Sequence, residues 1–524
     1  MLENREFDIV VVGSGVAALF GALAATSRGQ SVCVIEKTRY FGGTSAYSGG
    51  SVWLPGNHVL ERDGVNDSVE QGFTYFHSLV GSRTSEDLQR AYLESGPMVV
   101  DFLERSAGIP LEHRPFPDYF DAAERSANGR SVFARSINSS ELGDRVKDIR
   151  PPLSADQFGI ELDRAVLDGG QAWVARLVQA LDRSGAARLM LNTAAEELVQ
   201  DEAERVTGVI VRRADDGKRV TIGAKLGVLV AAGGFERDPY LRREWQGMPT
   251  SDWSSSHPET GTGDAVKMLR AVGAELDLLD QSWWCPATLF PNGHAVFTLG
   301  IRAGIIVDDT GSRFANEMLP YDQMGRAMRE RMDAGAGNGF WLVFDDSAGD
   351  QLPAICVPAP QASEFRSAGL WHTASSIAGL ASAIAVDPDA LQSTIRRFGT
   401  FAEAGRDDDH HRGEDPFGRF FLGATTSAQC LQALEGPQFH AVRLVLGDLG
   451  TKGGAMIDSF GAVRRSDGST VPGVYAAGNS SASIAGEVYP GPGVPLGSGM
   501  VIAYRAVAQM IDGVTALQNA SATV

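Results

Sequence analysis

Cysteine is scarce. The four in 524 residues, Cys33, Cys285, Cys356 and Cys430, lie far apart and form no CxxC pair. That spacing offers neither a disulfide framework nor a thiolate metal site, and no metal is expected. Positive charge is short as well: 46 Lys and Arg against 65 Asp and Glu leave a net charge of −19. A chain of that sign repels phosphate backbones, so nucleic acid is not an expected partner. Read along the sequence, no apolar run reaches the length of a membrane span, and no charged, apolar and small-residue leader precedes the first strand. Cytoplasm is therefore the expected location, although an apolar substrate would favour peripheral membrane contact. An apolar content of 43% with 21% charged residues suits a globular enzyme, and 524 residues are too many for one core, so two or more domains are expected.

Glycine, by contrast, is abundant at 61 residues, and its placement carries the reading. Asp8–Val12 reads as a buried parallel strand. Gly13-x-Gly15-x-x-Ala18 then turns into a helix from Val16 to about Arg28, ended by Gly29, and Ser31–Glu36 forms a second strand with an acidic end. In such a β-α-β unit Gly13 permits the turn, Gly15 lets backbone approach a pyrophosphate and Ala18 lets helix and strand pack closely. The helix N-terminus faces the phosphates, and Glu36 is placed to bond a ribose hydroxyl. Lys37 to Gly50 follows, with Gly42-Gly43-Thr44-Ser45 and Ser48-Gly49 offering N–H groups and hydroxyls. A nicotinamide enzyme has no need of this second cradle, so it tilts the cofactor from NAD to FAD.

Helical patterns fill residues 60 to 110, and 112 to 160 are irregular. Short strands at Leu198–Gln200, Val206–Val211 and Arg219–Ile222 are followed by a separate buried strand ending in Ala231-Ala232-Gly233-Gly234. From about residue 280 the character changes. Trp283, Trp284, Phe290 and Phe297 cluster, a strand over 304–308 leads to Arg313–Glu317, and two helices occupy 375–405, the second opening near Asp387-Pro388. Arg406–Asp415 reads as a solvated charged loop rather than a His410 or His411 ligand site. The first pattern then returns in Val474–Asn479, followed by Tyr489–Gly497 and an apolar helix over about 498–511. The fold class is thus α/β: a discontinuous Rossmann-like FAD-binding domain, 1–280 and 446–524, with an inserted α+β catalytic domain, 281–445. The helix behind Tyr489–Gly497 is a second anion-favouring N-terminus, suited to a reduced flavin.

Together, the fingerprint, Gly42-Gly-Thr-Ser-Ala-Tyr-Ser-Gly49, Val230–Gly234 and Ala477-Gly478-Asn479 resemble the fumarate reductase/succinate dehydrogenase flavoprotein superfamily. Within it, Phe116-Pro-Asp-Tyr119, Asn316–Gln323, His411–Pro416, Leu449–Gly454 and Tyr489–Gly497 resemble the 3-ketosteroid Δ1-dehydrogenases. The resemblance implies non-covalent FAD, since none of the nine histidines falls in Gly42–Gly50. It implies cofactor contacts at Gly13, Gly15, Val16, Ala17, Glu36, Lys37, Gly43, Thr44, Ser45, Ser48, Gly49, Ala232, Gly233, Gly478, Asn479, Pro495 and Leu496. It also implies a reaction: a hydride leaves carbon 1 of a 3-ketosteroid for FAD while a base takes a proton from carbon 2. By match of motif, Tyr489 and the Gly493 N–H hold the ketone, Tyr321 is the base and Tyr119 shares its proton. An unidentified electron acceptor completes the turnover. A Δ4-(5α)-dehydrogenase and a flavin electron-transfer protein without steroid chemistry stay open as alternatives. Trp283, Trp284, Phe116 and Phe297 are either an apolar substrate slot or plain core.

Overall fold

The computed structural model describes residues 5–337 and 339–521. The chain divides into two compact units. The first comprises Met1–Pro249, Ser256–Ser282 and Gly450–Val524, and the second Thr250–Ser255 and Trp283–Leu449. The short Thr250–Ser255 segment joins the second unit, a detail that composition does not signal.

The first unit is built on a mostly parallel sheet. From one edge its strands run Ala462–Arg464, Thr470–Ala476, Arg219–Val230, β1 (Arg5–Val12), β2 (Val32–Ile35) and Ala187–Met190. β1 pairs in parallel with both β2, Val10 opposite Cys33, and Arg219–Val230, Val12 opposite Val230. Helix α1 (Val16–Thr26) joins β1 to β2, and nearly every residue of it is buried. It packs against the helices Gly169–Ser184 and Val494–Ser521. An apolar sequence all round this helix is what such a two-sided environment selects. Gly21 marks the closest approach, for a Cβ there would lie 2.6 Å from Leu229 Cδ2.

Two expectations are corrected here. Arg219–Ile222 and the following buried strand are one continuous strand, Arg219–Val230. Its first half pairs antiparallel with Val206–Arg213 and its second half runs parallel to Thr470–Ala476. The change of partner changes the hydrophobic pattern midway, which is why the sequence reads as two pieces. The C-terminal helix is also longer than expected. Its Val494–Gly513 stretch is, at 20 residues and a mean hydropathy of 1.2, long and apolar enough to cross a membrane by length and composition. The glycines, Ser498 and Arg505 disguise this in the sequence. Met500, Val501, Ala503, Val507 and Met510 are buried in the core.

The second unit centres on a largely antiparallel sheet of Ile305–Asp308, Phe340–Asp345, Phe439–Thr451, Ser282–Leu289 and Ala295–Leu299. Ile377–Ala383 and Pro388–Ala404 cover it through Leu380, Leu391, Ile395 and Phe398. As expected, Asp387 caps the second of these helices, accepting the Ala390 N–H. The Arg406–Asp415 loop departs from its solvated reading. His411 is exposed, but Asp407 and Arg412 are buried. Arg313 bridges Glu317 at 2.7 Å and Asp407 at 2.7 Å, and Arg412 reaches Glu317 at 3.1 Å and the Gly304 carbonyl at 2.6 Å. Two charged segments that look like surface in isolation neutralise each other in the interior.

Burial alone would raise the Asp407 pKa. The Arg313 guanidinium and the His410 and Arg412 N–H groups outweigh it and bring it down to about 2. A folded-state pKa below the unfolded one adds stability that is complete above about pH 4 and fades as pH falls toward 2. We therefore expect Asp407→Asn to cost about 2 kcal/mol at neutral pH and to flatten the acid limb between pH 4 and 2. Urea unfolding followed at pH 7 and at pH 3 measures both.

Candidate functional site

The parallel strands of the first unit all end on one edge, at Val12, Ile35, Val230 and Ala476. The turns that follow contain most of the residues marked from the sequence as cofactor contacts. In open parallel sheets this edge is where ligands bind. Gly13 is held at φ +101°, and a Cβ there would sit 2.3 Å from the Ala231 carbonyl oxygen. The strands on either side also tie the turn, through Gly13 N–H to Ile35 O at 2.8 Å and Ala231 N–H to Val12 O at 2.8 Å.

Buried and half-buried residues alternate around this edge in a telling way. Gly13, Val16 and Glu36 are buried. Gly15, Ala17, Lys37, Gly43, Thr44, Ser45, Ser48, Ala232, Gly233, Gly478, Asn479, Pro495 and Leu496 are half-buried, and Gly49 is exposed. A Cβ on Gly43 or Gly49 would meet nothing within 4 Å, and one on Gly478 only Ala17 Cβ at 3.7 Å. Backbone facing open space at the mouth of four strand ends is a cradle for an extended ligand. Ser45 spans it, its Oγ accepting the Val16 N–H at 3.2 Å, and the Ala232 N–H donates to Ser480 Oγ at 2.9 Å.

The acidic end of β2 is firmly oriented. Ser14 donates to Glu36 Oε2 at 2.5 Å, and Thr38 donates its N–H and its hydroxyl to Oε1, each at 2.8 Å. Arg150, itself buried, reaches Thr38 Oγ1 at 2.9 Å and Asp156 at 2.6 Å, and Tyr47 donates to Asp156 at 2.5 Å. A carboxylate has about four acceptor positions, so Oε2 keeps one for a ribose hydroxyl. Lys37 is engaged elsewhere, its Nζ bonding Thr262 Oγ1 at 2.5 Å and Asp264 at 2.8 Å. Its contact to a cofactor would come through its backbone. Ser480, Arg150, Thr262 and Asp264 escape a sequence reading because their partners, Ala232, Thr38 and Lys37, lie more than a hundred residues away.

Tyr119, Tyr489 and Gly493 come together in this unit. The Tyr119 and Tyr489 rings are 5.3 Å apart and edge-to-face at 71°, and Phe116 packs edge-on to Tyr119 at 6.3 Å. The Gly493 N–H donates to the Tyr489 hydroxyl at 3.3 Å. Gly493 has φ +96°, and a Cβ on it would lie 2.3 Å from the Ser51 carbonyl oxygen. The backbone therefore passes too close to Ser51 for any other residue. Tyr321 belongs to the second unit, where it opens the helix Tyr321–Asp333 behind Pro320 and packs edge-on to Phe297 at 4.8 Å. The Arg313–Glu317–Arg412 ion pairs fix the segment before it. Gly325 lets its helix lie on the strand Ser282–Leu289, since a Cβ there would be 2.5 Å from Trp284 C. Trp283 and Trp284 are buried in that strand. The four aromatics considered as a slot thus divide, Phe116 in one unit and Trp283, Trp284 and Phe297 in the other.

Such an edge, with its oriented acidic residue and open glycine turns, defines a dinucleotide-binding flavoprotein. A family model described as an FAD binding domain matches residues 8–496. The chain is 36% identical to a 3-oxosteroid 1-dehydrogenase of Rhodococcus opacus, over 97% of this chain and 99% of that one. It is 31% identical to a 4-oxocyclohexanecarboxylate 2-dehydrogenase of Sinomonas cyclohexanicum, over 95% and 92%. The structure of a 3-ketosteroid Δ1-dehydrogenase from Sterolibacterium denitrificans, in complex with 1,4-androstadiene-3,17-dione, superposes with a TM-score of 0.87 at 29% identity. That match covers 97% of this chain and 100% of that one. The chain belongs to the FAD-dependent 3-oxosteroid 1-dehydrogenase family. Its cofactor is FAD, and non-covalent attachment is consistent with that family.

Gly13→Ala forces a side chain into a left-handed turn that is already in contact with Ala231. The expected outcome is a protein that purifies without yellow colour and is destabilised by about 2 kcal/mol or more. Flavin absorbance per mole of chain and thermal unfolding with added FAD measure both.

Proposed function

We propose that this protein introduces a 1,2-double bond into 3-ketosteroids. The observation that carries this reading is the pair of groups 3.3 Å apart in the Tyr489–Gly493 loop, the Tyr489 hydroxyl and the Gly493 N–H. In this structure the N–H donates to the hydroxyl; a ketone oxygen that takes over that long bond would receive both the N–H and the O–H. FAD, when bound, supplies the acceptor for the hydride lost from carbon 1. The protein's own residues govern the ketone and the proton. Polarising the 3-ketone acidifies the hydrogens on carbon 2, because the charge left on losing one spreads onto the oxygen. Preorganised donors stabilise that oxyanion most strongly where water is excluded, and removing one typically costs about 3 kcal/mol.

Tyr321 takes the proton in this reading, and Tyr119 shares it. A free tyrosine titrates near pH 10, so Tyr321 works as a base only if its surroundings stabilise the phenolate. The Tyr119–Tyr489 contact gives Tyr119 a place beside the ketone-holding pair. The steroid substrate class rests on the relative from R. opacus and on the steroid-bound structure from S. denitrificans.

A second reading follows from the Sinomonas relative, whose name specifies a monocyclic ketone with a carboxylate. The chemistry at the ketone is the same. What differs is the remote end, where a carboxylate calls for a cation and a steroid for apolar surface.

Anaerobic mixing with androst-4-ene-3,17-dione separates the readings. Flavin bleaching with the 1,4-diene as product supports the steroid reading. Bleaching only with 4-oxocyclohexanecarboxylate supports the second, and bleaching only with a 5α-reduced ketosteroid would assign the Δ4-(5α) reaction. No bleaching with any of them would reduce the protein to a flavin carrier. In the steroid reading, Tyr489→Phe should lower kcat on the order of 10²-fold and Tyr321→Phe by about 10² to 10⁴, both with FAD retained.

A further inference from the structure

The Tyr489–Gly493 loop alternates two prolines with two glycines, so it has few side chains by which the protein can grip it. It is gripped by its carbonyls instead. Pro490 O accepts the Tyr75 hydroxyl at 2.6 Å and the Tyr119 N–H at 3.0 Å. Pro492 O accepts the Ser131 hydroxyl at 2.5 Å, and Gly493 O accepts the Trp53 N–H at 3.2 Å. Of the two hydroxyls among these anchors, that of Tyr75 makes a second bond. Its oxygen also accepts the Phe120 N–H at 3.0 Å. One phenol oxygen therefore joins the loop carrying Tyr489 and Gly493 to the segment carrying Tyr119.

Tyr75 is well placed to be rigid. It lies in the helix Val69–Val80, is fully buried, and packs against Trp53 at 6.3 Å. The Arg130 guanidinium lies 5.5 Å from its ring centre, and Arg130 pairs with Asp118 and with Asp67. Asp118 in turn accepts the Trp53 indole N–H at 2.8 Å. Burial, reinforced by the Asp118 charge, pushes the Tyr75 phenol far above its ordinary pKa. It stays protonated and keeps donating to Pro490. The loop itself has no slack at its centre, for a Cβ on Gly491 would lie 2.5 Å from Trp53 Nε1 and 3.0 Å from Asp118 Oδ1.

We propose that Tyr75 is a positioning residue for the ketone-holding pair. By fixing Pro490 O and Phe120 N at once, its hydroxyl sets the spacing of Tyr489, Gly493 N–H and Tyr119, and with it the strength of ketone polarisation. The proposal rests on the reading that Tyr489 and Gly493 hold the substrate ketone. It differs from a purely structural role in what it predicts. Losing the hydroxyl should leave FAD binding and the fold in place and weaken only the groups that act as charge develops on the oxygen. Misplaced donors of this kind lower kcat more than they alter KM.

The test compares the FAD-loaded wild type with Tyr75→Phe and Tyr489→Phe. Tyr75→Phe keeps the ring packing, and we expect full flavin content, a kcat roughly tenfold lower and a KM changed less than about threefold. The infrared carbonyl stretch of bound, carbon-13-labelled 3-ketosteroid should move back toward its value in free steroid. Should Tyr75→Phe fail to retain FAD, 3-fluorotyrosine at position 75 makes the same comparison, because it keeps the hydroxyl but changes its donor strength. The carbonyl stretch is then expected to shift with no change in flavin content. An impaired Tyr489→Phe beside a position-75 variant with wild-type kcat and carbonyl stretch would overturn the positioning role. Wild-type kcat and stretch in Tyr489→Phe would overturn the reading beneath it.

Discussion

A turn with no room for a side chain governs the first unit. At Gly13 the chain reverses from strand to helix within contact of the Ala231 carbonyl, and lateral hydrogen bonds from β2 and Arg219–Val230 close it in. Everything useful to a dinucleotide follows. The helix must begin immediately after the strand, so its N–H groups point across the strand ends. The neighbouring parallel strands stop at the same level, so their turns share one mouth. Glu36 is carried to the rim of that mouth by β2 and is aimed by Ser14 and Thr38.

Ion pairs in both units aim residues as well as adding what stability they do. Arg150 and Asp156 brace Thr38, which braces Glu36. In the second unit Arg313, Glu317, Arg412 and Asp407 brace the approach to Tyr321. Removing these charges from water costs several kcal/mol each, and well-packed apolar residues can do as well or better for stability alone. What apolar packing does not supply is direction. Each ion pair fixes one turn in one orientation, and in both cases a site residue lies within a few positions of that turn, Glu36 just before Thr38 and Tyr321 just after Glu317.

The legible parts of the sequence are those whose chemistry is local. The β-α-β unit needs only its glycines and periodicity to be recognised, and its elements fall within a few residues of where the sequence puts them. The glycine turns at 43, 233 and 478 are legible for the same reason, since a turn with positive φ selects glycine wherever it occurs. Ser480, Arg150 and Tyr75 are illegible because their meaning lies in partners up to several hundred residues away. Asp407 and Arg412 are misread for a related reason. A run of charges looks solvated until the complementary run at Arg313 and Glu317 is brought against it. The Arg219–Val230 strand shows a third kind of failure, in which one element faces two environments and carries two patterns. The tyrosines are a separate case: residue type says little about them, and a match of long motifs marks them out.

The first unit's sheet is drawn from both ends of the chain, and this bears on how the protein is made. Arg219–Val230 waits for Thr470–Ala476 as a partner, and α1 waits for the helix that begins at Val494. The second unit is almost contiguous, from Trp283 to Leu449. Synthesis at about 5–20 residues per second separates these events by tens of seconds. During that interval the second unit can complete its core while an apolar edge of the first remains uncovered. The topology thus allows the middle of the chain to fold before its beginning, and leaves α1 without its partner helix until Val494 and the residues after it have been made.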